Sequence, residues 1–330
     1  MKGRQRGVAL LVVLLIVALM TMLAINLTER SGRAYLSTAG HLARQQAKWY
    51  ALAAEAMAGQ MLLSDGRDSP NSTHLAQLWA QEGRQFPVEG GEIGGQITDA
   101  QACFNLNAIN QVVSYVDQGE AVEAAYPAQV FHHLLLQLGV EAERAGSVTD
   151  ALRDWVDNDG APREKGAEDE AYASLNPPYL PANRALVDVS ELRMVLGIDT
   201  ALYRRLLPYV CVLPQQALLI NINTLQLSQA ALLSALFLNE VSRTAAAQLL
   251  DERPREGWSS VPALLAQGAL PELNSEAAKQ VLTVNSQFFF ARISVRLADG
   301  DYHRHSLLQR EGSRINVLQR HDGLSMKVEP

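Results

Sequence analysis

The chain has 330 residues, 48% of them hydrophobic, with 28 Lys and Arg against 35 Asp and Glu, which is enough for one large domain or two. A mean hydropathy of -0.03 excludes a multi-span membrane protein, a disordered tail and a collagen-like repeat, and the acidic balance speaks against a nucleic-acid partner. Two cysteines, Cys103 and Cys211, would pair in an oxidising compartment and stay as buried thiols in a reducing one, so the compartment has to be settled first.

From Val8 to Ile25 the only polar residue is Thr21, which makes a helix of about 27 Å, close to the thickness of a bilayer core. Ahead of it lies MKGRQRG, with Lys2, Arg4 and Arg6 and no acid. That asymmetry predicts a cytoplasmic N-terminus and export of everything that follows. The apolar run ends in AINLTERSGRAYL, a poor match to a secretory cleavage site, so the segment is predicted to be retained. Beyond it Tyr35, Thr38, Leu42, Gln45, Trp49, Leu52 and Ala56 recur at alternating steps of three and four, the spacing of one helical face, and no proline occurs before Pro70. The reading is a helix from about Val8 to Met61, on the order of 80 Å long, embedded in its first third and then packed by this face on its own globular head.

Ser64 to Ser72 (SDGRDSPNS) reads as a turn-rich linker and Glu89 to Gly95 as a hairpin. Strand pattern occupies Gly94 to Asp99, leading into Cys103 to Asn107, and returns only at Ser286 to Leu297 and His303 to Leu318, with mostly helical pattern between. A small antiparallel sheet packed on the stem, interrupted by a helical insertion of roughly 180 residues, is the topology these stretches predict. Trp155, Trp258 and Tyr203 read as core residues rather than a stacking platform.

The densest acidic cluster runs from Asp150 through Asp154, Asp157 and Asp159 to Gly160, followed by Glu164 and Glu168-Asp169-Glu170. Asp157 and Asp159 alternate as in calcium loops, where hard oxygen ligands on a turn converge on one ion. Gly160 comes two positions early for an EF-hand and no Glu stands at the twelfth position, so the residues alone leave a calcium loop and a solvated acidic turn both open. No GxSxG, HExxH or P-loop pattern occurs. His132 and His133 point different ways on a helix, while His303 and His305 read as sharing an exposed strand face, and neither pair reads as a zinc site. Ile220-Asn-Ile-Asn-Thr224 with Arg253, Gly257 and Trp258 is similar to the opening of helix-hairpin-helix DNA-binding modules. The corresponding turn, Phe237 to Val241, has no glycine, and acids outnumber bases across 219–284, so this stretch reads as structural, with no nucleic acid bound.

Lys2 to Gly7 followed by Val8 to Leu15 resembles a type IV prepilin leader, which implies cleavage after Gly7 by the prepilin peptidase and methylation of Val8. That family usually carries Glu as the fifth mature residue, and here the position is Val12. A carboxylate inside an apolar helix bundle needs a partner. In pilins that partner is the terminal amine of a neighbour, which a subunit at the filament tip lacks. The missing Glu, together with DAQACFNLN (Asp99 to Asn107), DWVDNDG (Asp154 to Gly160), GAEDEAY (Gly166 to Tyr172), DVSELR (Asp188 to Arg193), YRRLLPYVCVLP (Tyr203 to Pro214) and ININT (Ile220 to Thr224), resembles the minor pseudopilin K family of type II secretion systems from end to end.

The resemblance implies an α+β, type IV pilin-like fold with a large inserted α-helical domain. Its parts would be a leader (1–7), a transmembrane and stem helix (8–62), a first β region (63–105), a helical unit (106–214), a second, SAM-like or helix-hairpin-helix-like unit (215–285) and a C-terminal β region (286–330). It implies a non-enzymatic tip subunit of the pseudopilus that initiates or caps assembly for export of folded proteins across the outer membrane. The protein would be single-pass in the inner membrane with its C-terminal domain in the periplasm. Implied partners are the minor pseudopilins I and J, the major pseudopilin G and minor pseudopilin H through the filament, and the prepilin peptidase. It further implies calcium, with Asp157, Asp159, Glu168 and Asp169 as ligands on position. Cys103 and Cys211 would then face an oxidising periplasm, each where the insertion joins flanking chain, and a bridge there would contribute roughly 4 kcal/mol; two buried thiols are the alternative. The competing reading is a single-span, membrane-anchored periplasmic protein that binds calcium or hydrolyses a substrate.

Overall fold

The computed structural model describes residues 6–81, 85–117, 120–267, 270, 276–297 and 300–323. Helix α1 (Arg6–Asp68) has 63 residues, roughly 95 Å at the α-helical rise. Its large apolar side chains from Val8 to Leu27 are exposed, and this part is long and apolar enough to cross a membrane. Higher up, Ala47, Ala51, Ala58 and Leu62 are buried against the sheet. Small residues at helical spacing let the helix axis come close to the strands.

That is not the face the heptad-like pattern picked out. Tyr35, Leu42 and Trp49 are 73%, 70% and 68% exposed; the first two lie ahead of the sheet contacts, which begin at Ala47, and Trp49 points away from the protein's own head. Periodicity marks a face as apolar without saying which surface covers it, and here the close-packed sheet selected the alanine face instead. The helix also runs past the linker read at Ser64, ending only at Asp68. Its last turn is fixed by tertiary bonds that local sequence does not carry: the Asp65 carboxylate accepts the Trp79 backbone N–H at 2.8 Å, and Arg310 Nη1 donates to the Leu62 carbonyl at 3.2 Å.

Strands β1 (Gln85–Val88) and β2 (Gly91–Asp99) form the expected hairpin, turning at Gly90 with φ +83°, a conformation glycine adopts freely. The chain then enters the insertion through β3 (Phe104–Asn105) and a hairpin of β4 (Val113–Asp117) and β5 (Glu120–Ala124), which the helical reading of this region missed. Helices α2 (Tyr126–Gln137), α3 (Ala142–Val156), α4 (Asp169–Ala173) and α5 (Thr200–Leu206) lead to β6 (Val210–Cys211) and β7 (Ile220–Asn221). Helices α6 (Ala230–Leu236), α7 (Arg243–Asp251), α8 (Val261–Leu265) and α9 (Glu276–Val281) then lead to β8 (Leu282–Thr283). The chain returns as β9 (Phe288–Leu297), β10 (Gly300–Glu311) and β11 (Arg314–Asp322). The single strand read over His303 to Leu318 is therefore two, because Gly312, at φ +56°, reverses the chain.

The sheet order is β1-β2-β9-β10-β11, with every pair antiparallel. β2 and β9 are direct neighbours, in register from Gly91 opposite Leu297 to Asp99 opposite Phe289. The whole insertion thus leaves and re-enters between two adjacent strands. Each half of it is clasped at its ends by a short parallel pair, β3 with β6 and β7 with β8. The two halves nevertheless share one continuous hydrophobic core reaching from Phe104 to Leu282, with Trp155 and Trp258 buried in it. Beside the first clasp a disulfide joins Cys103 to Cys211, with Cα atoms 5.8 Å apart.

The ININT motif fastens the insertion to the sheet. Asp99, the last residue of β2, is buried and accepts hydrogen bonds from Ser286 Oγ (2.5 Å), Thr224 Oγ1 (2.6 Å), Asn221 Nδ2 (3.0 Å) and the Gln101 backbone N–H (2.7 Å). Burial still pushes this carboxyl above the usual Asp range against those four bonds. Asn223 brackets Trp258 through its backbone, accepting from the N–H at 2.8 Å and donating to the carbonyl at 3.0 Å. The helix-hairpin-helix-like residues therefore serve the fold. The turn between α6 and α7 does without glycine by placing Leu238 and Asn239 at φ +50° and +65°.

Candidate metal centre and stem

The acidic cluster is built at the end of α3. The helix stops at Val156, and Asp157 leaves in extended conformation, swinging its carboxylate off the helix surface. The Asp159 side chain accepts the Ala161 N–H at 2.9 Å, which tightens the turn. The chain folds back so that Glu168 stands just ahead of α4 in extended conformation. One oxygen each of Asp157, Asp159 and Glu168 then lie within 4.8 Å of one another. Asp169, the first residue of α4, is not one of the converging three, although its charge acts on Glu168.

Two features make this arrangement electrostatically costly. Among the described residues nothing hydrogen-bonds either carboxylate oxygen of Glu168, which is 5% exposed, and Asp157 Oδ1 is likewise buried without a partner. Unpaired buried carboxylates are among the costliest groups a fold can hold. Burial first, and then the charges of Asp154, Asp157, Asp159 and Asp169, push the Glu168 carboxyl above its usual range. Arg163 supplies part of the compensation, donating from Nη1 to Asp154 Oδ1 and Asp157 Oδ2, each at 2.5 Å. Five carboxylates, those of Asp154, Asp157, Asp159, Glu168 and Asp169, outnumber the guanidinium groups of Arg163 and Arg153 near them and leave a net negative cage of hard oxygen donors, a set that suits calcium.

Sequence reasoning placed Asp157, Asp159 and Glu168 together and overlooked what shapes the cage. Arg163 is one such residue. Gly166 is another, because a Cβ there would collide with the Asp154 carboxylate. Asp154 itself is fully buried and receives the backbone N–H groups of Arg163 (3.1 Å) and Ala167 (2.9 Å). Only its position one helical turn before Asp157–Asn158 could have suggested this. Trp155, Tyr172 and Tyr179 form the aromatic floor, with Trp155 and Tyr172 ring centroids 5.4 Å apart. His303 and His305, read as an exposed pair, are half-buried on β10.

The stem carries the other functional surface. On its packed face Glu55, 5% exposed, accepts from Arg320 Nη2 (2.7 Å) and Nε (2.9 Å) and from Ser306 Oγ (2.5 Å). Arg304 beside it makes a two-pronged contact with Asp322 at 2.7 and 3.1 Å. At the lower end, Gly7 is the second residue of the helix and Val8 is 64% exposed. Residues 1–5, most of the expected leader, lie outside the described residues.

Comparison with known proteins fits this architecture. Two family models, both described as type II secretion system protein K, match residues 102–215 and 220–285. The chain is 52% identical over its full length to the full length of the type II secretion system protein K of Pectobacterium carotovorum subsp. carotovorum. The chain belongs to the type II secretion system protein K family. The Klebsiella pneumoniae protein K is 53% identical over 98% of each chain. The crystal structure of the GspK-GspI-GspJ complex from enterotoxigenic Escherichia coli contains a chain that superposes with a TM-score of 0.77 at 34% identity, covering 87% of this chain and 99% of that one. The protein K family thus accounts for the long helix, the antiparallel sheet and the helical insertion together, as a minor pseudopilin of the secretion system.

Proposed function

We propose that this minor pseudopilin occupies the tip of the pseudopilus, where it starts or caps assembly, and that it acts as a structural subunit rather than an enzyme. The observation that carries this is the free stripe of Tyr35, Leu42 and Trp49 on a stem whose opposite face is closed by its own sheet only from Ala47 upward. Such a stripe, repeating every seven residues, is the seam of a helix that pairs with another helix. The I and J pseudopilins are the proposed neighbours, since a similar chain is found in a GspK-GspI-GspJ complex. The G and H subunits would follow through the filament. A helical insertion projecting from the middle of the sheet adds bulk that suits an end position better than a shaft position.

In this reading residues 1–7 are removed by the prepilin peptidase after Gly7, Val8 becomes a methylated N-terminus, and the apolar part of α1 holds the protein in the inner membrane with its head in the periplasm. Asp157, Asp159 and Glu168 hold calcium, which supplies the positive charge their cage lacks; Asp169 adds field rather than a converging oxygen. The test is the intact mass and N-terminal sequence of the protein recovered from membranes with and without the peptidase, together with co-purification of the I and J subunits. Methyl-Val8 in the peptidase strain alone, with I and J bound, is expected. Met1 in both strains would overturn the cleavage after Gly7 and leave this protein anchored by an uncut N-terminal segment.

A further inference from the structure

Trp49, Ala53, Met57 and Met61 stand at i+4 intervals on α1, each step turning about 40° around the axis, so the row winds from the exposed face at Trp49 toward the sheet at Met61. At its upper end it opens into an apolar pocket of about 210 Å³ between the stem and the sheet. Met57 and Met61 form one wall, and Trp79, Phe86, Ile93 and Ile293 form the others. Trp79 and Ile93 are 2% and 8% exposed, so the floor is built into the core, whereas Met57 at 43% forms an accessible lip. The geometry points to this pocket as the receptor for one aromatic side chain from the helix of the neighbouring pseudopilin that lies along the Tyr35–Leu42–Trp49 seam. The inference rests on the stem-docking reading above and adds to it the chemistry of the anchor.

Size, lining and continuity favour that occupant. An apolar cavity of roughly 150 Å³ takes up benzene, so this one has room for a ring and the methylene that carries it. The two thioethers on its wall are flexible and make favourable contacts with ring edges. A helix lying on the seam brings its own side chains directly over Ala53 and Met57, whereas a small molecule from solvent would gain nothing from that continuity. Aromatic anchors seated in preformed pockets dominate the energetics of protein interfaces.

The test uses the full chain in detergent, labelled with 5-fluorotryptophan and titrated with the I and J pseudopilins of the same system. Its four tryptophans give resonances assignable by single Trp→Phe changes. Shifts of both Trp49 and Trp79 on complex formation are the expected result. Movement of Trp49 alone would mean that the stem docks and the pocket stays unfilled, which overturns the inference and leaves the docking reading standing. No complex at all would overturn both. As a second measurement, Ala53→Trp, which fills the pocket mouth from an exposed position, is expected to weaken the complex at least tenfold with the thermal midpoint of the free chain unchanged. Undiminished binding by that variant would overturn the inference.

Discussion

Glu168 is the residue on which the proposed calcium site turns, since burial and four neighbouring acids oppose its charge and no group among the described residues donates to it. Its pKa is raised in the fold, so the folded chain holds this proton more tightly than the unfolded one. Without calcium, stability should therefore fall as pH rises from the ordinary Glu range through the raised folded value, and stay level above it. Glu168→Gln removes the charge and keeps the shape. Its thermal midpoint in chelator should exceed that of the unsubstituted protein by a few degrees, corresponding to about 1–2 kcal/mol. Calcium should reverse the order, raising the unsubstituted protein while the variant responds weakly. A melting series in chelator and in millimolar calcium checks both signs. The sequence carried these carboxylates legibly because Asp-x-Asp on a turn has a known chemistry. It carried neither Arg163 nor Gly166 as a cage residue, because their roles depend on the path the chain takes between Asp159 and Glu168.

Among the elements, the stem has two faces with different tasks. The packed face is held by alanines and by Glu55, whose burial opposes ionisation but whose bonds from Arg320 and Ser306 outweigh that and hold its pKa below the usual Glu range. The stability this gives is fully present above the ordinary Glu pKa and is lost as pH falls through the lower folded value. Arg320→Ala leaves Glu55 buried without its main partner, and a cost of about 1–3 kcal/mol is expected from denaturant titration at pH 7, shrinking at acid pH as Glu55 takes up a proton. The outer face behaves oppositely. Trp49→Ala should leave the melting temperature of the free chain within a degree while weakening its complex with the other minor pseudopilins more than tenfold, measured by analytical ultracentrifugation. Helix periodicity revealed the length and apolar stripe of this element. It misassigned the stripe to the head, because alanines that pack closely on a sheet contribute little to an apolar pattern while exposed Trp and Leu dominate it.

For the molecule as a whole, the sheet interrupted by a helical insertion was legible from two strand-rich stretches lying far apart, and the hairpin before it from Gly90 and Gly91. The β4–β5 hairpin and the short clasping pairs were not, since two-residue strands leave no alternating pattern to read. Their existence depends on the common core reaching from Phe104 to Leu282. The covalent link between Cys103 and Cys211 closes a loop of 108 residues, and replacing both cysteines by serine is expected to cost about 2–5 kcal/mol in thermal or denaturant unfolding. The fold should survive that loss, because the β3–β6 clasp and the Asp99 network hold the same junction.

The adjacency of β2 and β9 also orders events in time. These neighbours lie far apart in the chain, one ahead of the insertion and one behind it, so the middle of the sheet can close only after the C-terminal strands have been made. Closing it before the helical insertion had condensed would mean pinning the two ends of a very long flexible loop. The platform on which the stem rests is thus the last part of the protein to be completed. A chain stalled or damaged anywhere in the insertion would present a bare helix without its sheet, lacking the pocket at the top of the seam, and so would be a poor foundation for the next subunit.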